Sequence, residues 1–135
     1  MNSALHNGFT LLELMITVVI LSILATIAYP SYMGQVQKTR RVDGKSAVLE
    51  VAMAEEQYYT RNKKYTGSLS LLSIGSELKA GDSKEGYYTL TLVNSDTTFS
   101  IKATATGAQA KDTDCATMTM NQKGEQTSSS SSECW

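Results

Sequence analysis

The sequence predicts an α+β fold: a long N-terminal α-helix whose second half packs on an antiparallel sheet of three to four strands. Three observations predict it. Residues 9–29 read FTLLELMITVVILSILATIAY, an apolar run with one charge, Glu13. Residues 31–61 contain no proline and place apolar side chains at helical intervals. Beyond residue 86, short stretches alternate polar and apolar, with turn residues between them.

Composition bounds the function. A chain of 135 residues fits one domain with a core of useful size. A net charge of −1 argues against a nucleic-acid binder that works by bulk charge. Only Glu13 among the 25 acidic and basic residues precedes Lys38, so an apolar front joins a charged remainder. The one histidine is His6, and neutral-pH acid–base chemistry and zinc binding both lean on histidine. No phosphate-loop, dinucleotide, zinc-protease or nucleophile-elbow motif occurs. An enzyme is therefore not expected, nor a cofactor or a metal. Asp112 and Asp114 are a weak calcium signal against the six to eight oxygens calcium takes. Cys115 and Cys134 suggest an exported domain with one disulfide; two unpaired thiols are the alternative.

The front admits three readings. As a helix, residues 9–29 extend about 31 Å, roughly a bilayer core. A cleaved secretory signal wants a basic start and a shorter apolar stretch, whereas MNSALHNG has no Lys or Arg. A plain membrane anchor leaves Glu13 unexplained, because an intramembrane carboxylate costs a few kcal/mol. The third reading is a helix that leaves the membrane and packs on copies of itself. If the chain is cut after Gly8, Phe9 carries the terminal ammonium and Glu13 is the fifth residue, one turn away. In a staggered stack, Glu13 of one subunit meets the amine of the next and fixes register. The plainer alternative is a carboxylate at a helix start, favoured by the macrodipole.

Gly8-Phe9-Thr10-Leu11-Leu12-Glu13, ahead of the apolar run, resembles the processing site of type IV pilins and pseudopilins. The resemblance implies a prepilin peptidase that cuts after Gly8, methylation of Phe9, and an assembly role for Glu13. Leaders in that family usually carry Lys or Arg before the glycine; this one has only His6. Tyr29-Pro30-Ser31-Tyr32, Lys38-Thr39-Arg40-Arg41-Val42-Asp43, Glu56-Gln57-Tyr58-Tyr59-Thr60-Arg61-Asn62, Tyr65 and the Cys134-Trp135 ending resemble PilE-type type IVa pilins. That resemblance implies a type IV pilin fold and a minor pilin that takes part in pilus assembly and priming. A major pilin and a type II secretion pseudopilin are the alternatives. Implied partners are other pilin subunits, the prepilin peptidase, the inner membrane before assembly and the assembly platform. Residues 1–8 are then a leader, 9–30 a membrane and filament-core helix, and 31–135 a periplasmic or extracellular head.

The helix is expected from residue 9 to near 62, about 81 Å. Pro30 is expected to kink it. Val36, Ala47, Val48, Val51, Ala52, Met53, Ala54 and Tyr58 supply apolar positions. Lys38, Arg41, Lys45, Glu50, Glu55 and Glu56 supply polar ones. Residues 38–64 carry a net charge of +3, normally a solvated face, with weak DNA contact as a minor alternative. Tyr58, Tyr59 and Tyr65 read as helix–sheet packing.

In the head, residues 68–86 read as a loop with a helical turn. Residues 87–93 and 98–106 form a hairpin about Asn94-Ser95-Asp96, 115–120 a third strand, and 125–127 a short fourth after Gly124. Closing Cys115 to Cys134 makes a loop of about 20 residues worth about 3 kcal/mol. It pins the serine run 128–132, an exposed surface that is inert or carries a contact or a glycan.

Overall fold

The computed structural model describes residues 8–130 and 132–135. Leader residues 1–7, His6 among them, and Ser131 of the serine run lie outside the described residues. The chain divides into two compact units, one ending at Val36 and one covering residues 37–135.

Helix α1 spans Leu11–Asn62. Thr10 opens it: its carbonyl accepts the Leu14 N–H and its Oγ1 accepts the Glu13 N–H, both at 3.2 Å. Thr10-Leu11-Leu12-Glu13 is thus a capping-box sequence, with the acid where the helix dipole favours it. Pro30 lies inside α1 and has no N–H to give the preceding turn. The helix closes at Lys63, whose φ of 59° is left-handed and whose N–H bonds the Tyr59 carbonyl at 2.7 Å.

The second unit is a sheet on the later part of α1. Strands β1 (Tyr88–Asn94), β2 (Phe99–Ala105), β3 (Thr117–Asn121) and β4 (Gln126–Ser128) form an antiparallel meander in the order β1-β2-β3-β4. Leu90 faces Ala103, and Ala103 faces Met118, so one side of the sheet is apolar. Tyr88, Leu90, Phe99, Ile101, Ala103 and Met118 bury against Ala47, Val48, Val51, Ala52 and Ala54 of α1. Small residues let the helix come close. A Cβ on Gly44 would run into Met118 Cε and the Tyr88 ring.

The four strands are where the alternation places them, within a residue or two. Cys115 is an exception: it sits in a 3₁₀ turn (Thr113–Cys115) before β3, not in the strand. The 68–86 segment holds a 3₁₀ turn at Leu69–Leu71 and a short helix α2 at Ser76–Ala80. Two helix positions differ from expectation. Met53 is 61% exposed and Glu55 is fully buried. At 100° per residue, Met53 points away from Val51, while Glu55 shares the face of Val48 and Val51.

Candidate functional site

The N-terminal unit presents apolar surface on all sides. Phe9, Leu11, Leu12, Leu14, Ile16, Val19, Leu21 and Ile27 all expose more than half of their area. A window of 18 residues is long and apolar enough to cross a membrane, and none of it is buried. Three of its hydroxyls are satisfied within the helix. Thr17 donates to the Leu14 carbonyl at 2.8 Å, Ser22 to Val18 at 2.7 Å and Thr26 to Ile23 at 2.7 Å. These three hydroxyls therefore carry no unpaired donor into an apolar medium.

At its start, Gly8 and Phe9 precede the first helical turn and are exposed. A side chain on Gly8 would meet nothing within 4 Å. Glu13 is exposed in the first turn, four residues after Phe9. Gly8, Phe9 and Glu13 therefore fall on one accessible stretch of chain.

In the second unit, two polar clamps fix loops to α1. Arg41 Nε and Nη2 donate to Asp112 at 2.7 and 2.8 Å. Gln109, fully buried, donates from Nε2 to Asp112, to the Tyr88 hydroxyl and to the Gln37 carbonyl at 3.0–3.2 Å. The Asp112 carboxylate raises the Arg41 pKa, and burial raises that of Tyr88. Two residues on from Arg41, Asp43 accepts from the Ser83 hydroxyl and from the Glu85 and Tyr87 N–H groups. Asp112 thus serves Arg41. Among the described residues no group of three His, Cys, Asp or Glu could hold a metal ion. Neither clamp is legible in the sequence, which offers as a signal a charged pair, Arg41 and Asp43, on a helix that has to bury one face.

Cys115 and Cys134 are joined, with Cα atoms 5.6 Å apart and both residues buried. Ser129 and Ser130 donate to the Asp114 carbonyl at 2.9 and 3.2 Å, and the Trp135 indole donates to the Thr127 carbonyl at 3.0 Å. The end of the chain is thereby tied to the sheet.

Residues 4–29 match the prokaryotic N-terminal methylation motif. Residues 30–119 match the family described as type IV minor pilin ComP, DNA uptake sequence receptor. The chain belongs to this type IV pilin family. The pilin is 38% identical over 60 residues to type II secretion system core protein G of Pectobacterium carotovorum, a match covering 44% of the pilin and 38% of that relative. The pilin thus spans well under half the length of the first curated relatives it matches. It is 29% identical over 116 residues to a fimbrial protein of Neisseria meningitidis, covering 81% of the pilin and 68% of the relative. A solved type IV pilin from Shewanella oneidensis superimposes with a TM-score of 0.54 at 28% identity, over 73% of the pilin and 97% of that chain. The long helix on a four-stranded antiparallel sheet is the fold the pilin shares with that structure. The methylation motif together with the apolar helix fits membrane anchoring.

Proposed function

We propose that this pilin is a minor subunit of a type IV pilus, built into the filament through its N-terminal helix and active in assembly and priming. A prepilin peptidase cuts between Gly8 and Phe9, Phe9 is methylated, and Glu13 pairs with the terminal amine of a neighbouring subunit. Pro30 kinks or loosens the helix where it enters the filament. The head stays outside and folds without help from the apolar half. The observation that carries the reading is the fully exposed apolar helix, which needs lipid or other subunits around it. The match of residues 30–119 to a minor pilin family supports the minor role. No catalytic function is part of the proposal.

N-terminal mass analysis of sheared pili tests it. A chain beginning at methylated Phe9 is expected, in low abundance, and Glu13→Ala is expected to leave pili while the head stays folded. An uncut Met1, or normal incorporation of Glu13→Ala, overturns the processing or the assembly role.

The match to type II secretion core protein G over 60 residues favours a second reading, a pseudopilin. The longer match to the fimbrial protein weighs against it. A deletion strain that loses secretion but keeps its pili decides for the second reading. DNA reception, named in the family's description, gains nothing from bulk charge: the residues from Lys38 on carry twelve basic and twelve acidic side chains. A gel shift with the purified pilin tests that activity.

A further inference from the structure

One buried carboxyl holds the segment that leaves α1. Glu55 is 0% exposed, on the helix face turned to the sheet. Its Oε2 accepts the Thr66 N–H at 3.0 Å. Its Oε1 is buried and has no hydrogen-bond partner. Beside it, exposed Glu56 accepts the Tyr65 hydroxyl at 3.0 Å. From the other side the β1–β2 turn grips the same segment. Tyr65 N–H donates to the Asp96 carbonyl at 3.2 Å, and Asn94 Nδ2 donates to the Tyr65 carbonyl at 3.1 Å.

A carboxylate buried with a single donor is poorly compensated, so the neutral acid is favoured. The titratable groups around it are Glu56 and Tyr59 from α1 and Tyr65 from the following segment; Asp96, on the hairpin, holds Tyr65 through its backbone carbonyl. No cation pairs with Glu55 among the described residues. Burial, the largest influence, pushes its pKa up. The Thr66 N–H pulls it back, and the Glu56 charge pushes it up again.

We propose that Glu55 is a proton-controlled latch on residues 65–72. Neutral Glu55 stays buried and keeps Thr66 bound. Ionised Glu55 reaches water only when the Thr66 contact opens. An acid whose pKa is raised on folding holds its proton more tightly folded than unfolded. The latch is therefore fully closed below the ordinary carboxylate range and weakens as pH rises through the folded pKa. Opening loosens a segment that carries buried Leu72 and exposed Leu71, so it alters the surface the head presents. This holds whether or not the chain is a minor pilin.

The full-length chain in detergent micelles allows the test. The Glu55 carboxyl is titrated by carbon NMR, and Thr66 amide exchange is measured across the same pH range with intrinsic rates corrected. The Glu55 carboxyl is expected to titrate above the ordinary range, and Thr66 protection to fall at least tenfold with the same midpoint. Glu55→Gln is expected to abolish that pH dependence, while Glu56→Gln keeps it. A Glu55 midpoint in the ordinary carboxylate range overturns the latch, as does Thr66 protection that ignores it; both readouts come from the unmodified chain.

Discussion

Arg41 and Asp112 are 71 residues apart in sequence and meet through two parallel hydrogen bonds of 2.7 and 2.8 Å. Their side chains are 11% and 3% exposed. The pair ties the turn before β3 to the helix, and Asp112 also accepts from buried Gln109. Removing one partner leaves a buried charge alone, which costs about 3–5 kcal/mol. Arg41→Met and Asp112→Asn are each expected to destabilise the head by an amount of that order. The double variant is expected to lose clearly less than the sum, because neither charge is then stranded. Denaturant melts of the four proteins give the cycle, and strict additivity would count against the coupling.

Gly44 marks the closest approach of α1 to the sheet. A methyl there meets the Tyr88 ring at 2.9 Å as well as Met118 Cε. The helix would otherwise gain from Ala, by about 1 kcal/mol. Overpacking is expected to win, so Gly44→Ala should destabilise by about 1–3 kcal/mol. Gly34, with open space around its Cβ, is the control: Gly34→Ala should leave the melting of the head unchanged. Equal effects at both positions would rule out the steric explanation.

The contrast between Met53 and Glu55 shows what local pattern carries and what it does not. Spacing alone assigns Val48, Val51, Ala52 and Glu55 to one helix face, and that face is buried. Sorting by polarity instead puts Met53 inside and Glu55 outside, the reverse of the structure. Strand alternation and the turn residues locate all four strands because each is a short-range signal. The Cys115–Cys134 link is readable from composition and compartment. The clamps of Arg41 to Asp112 and of Asp43 to Ser83 are not readable. They join residues 40 or more apart, and no local period encodes which loop returns to which helix turn. The apolar front is the most legible part of all, since it is exposed on every side and its surroundings are not in the chain.

The disulfide constrains the last part of the chain. Cys115 and Cys134 enclose β3 and β4 and are separated by 19 residues. Cutting the link is expected to cost about 3 kcal/mol in the chain-entropy account. The loss should begin at the end of the chain, where Trp135 bonds Thr127. Under reductant, the fluorescence of the single tryptophan should shift to the red at lower denaturant than the helical signal falls. Coincident transitions with and without reductant would show that the link adds nothing beyond the packing of the sheet.

Tyr65 is expected to make the head sensitive to alkaline pH. It is 9% exposed, stacks on Tyr59 at 4.6 Å, meets Phe99 edge-on at 4.8 Å and donates its hydroxyl to Glu56. Burial, then the bond to Glu56 and its charge, push the phenol up to about 12. An unfolded tyrosine ionises near 10. Between the two values the unfolded chain has already released the proton and the folded one has not, so stability falls as pH rises from about 10 to about 12. Tyr65→Phe gives up the hydrogen bond, about 1 kcal/mol at neutral pH, yet should lose less than the parent over that alkaline window. Melting temperatures from pH 9 to 12 check this, with ultraviolet titration of the phenols alongside. If both proteins lose stability in parallel across the window, Tyr65 is not the group responsible.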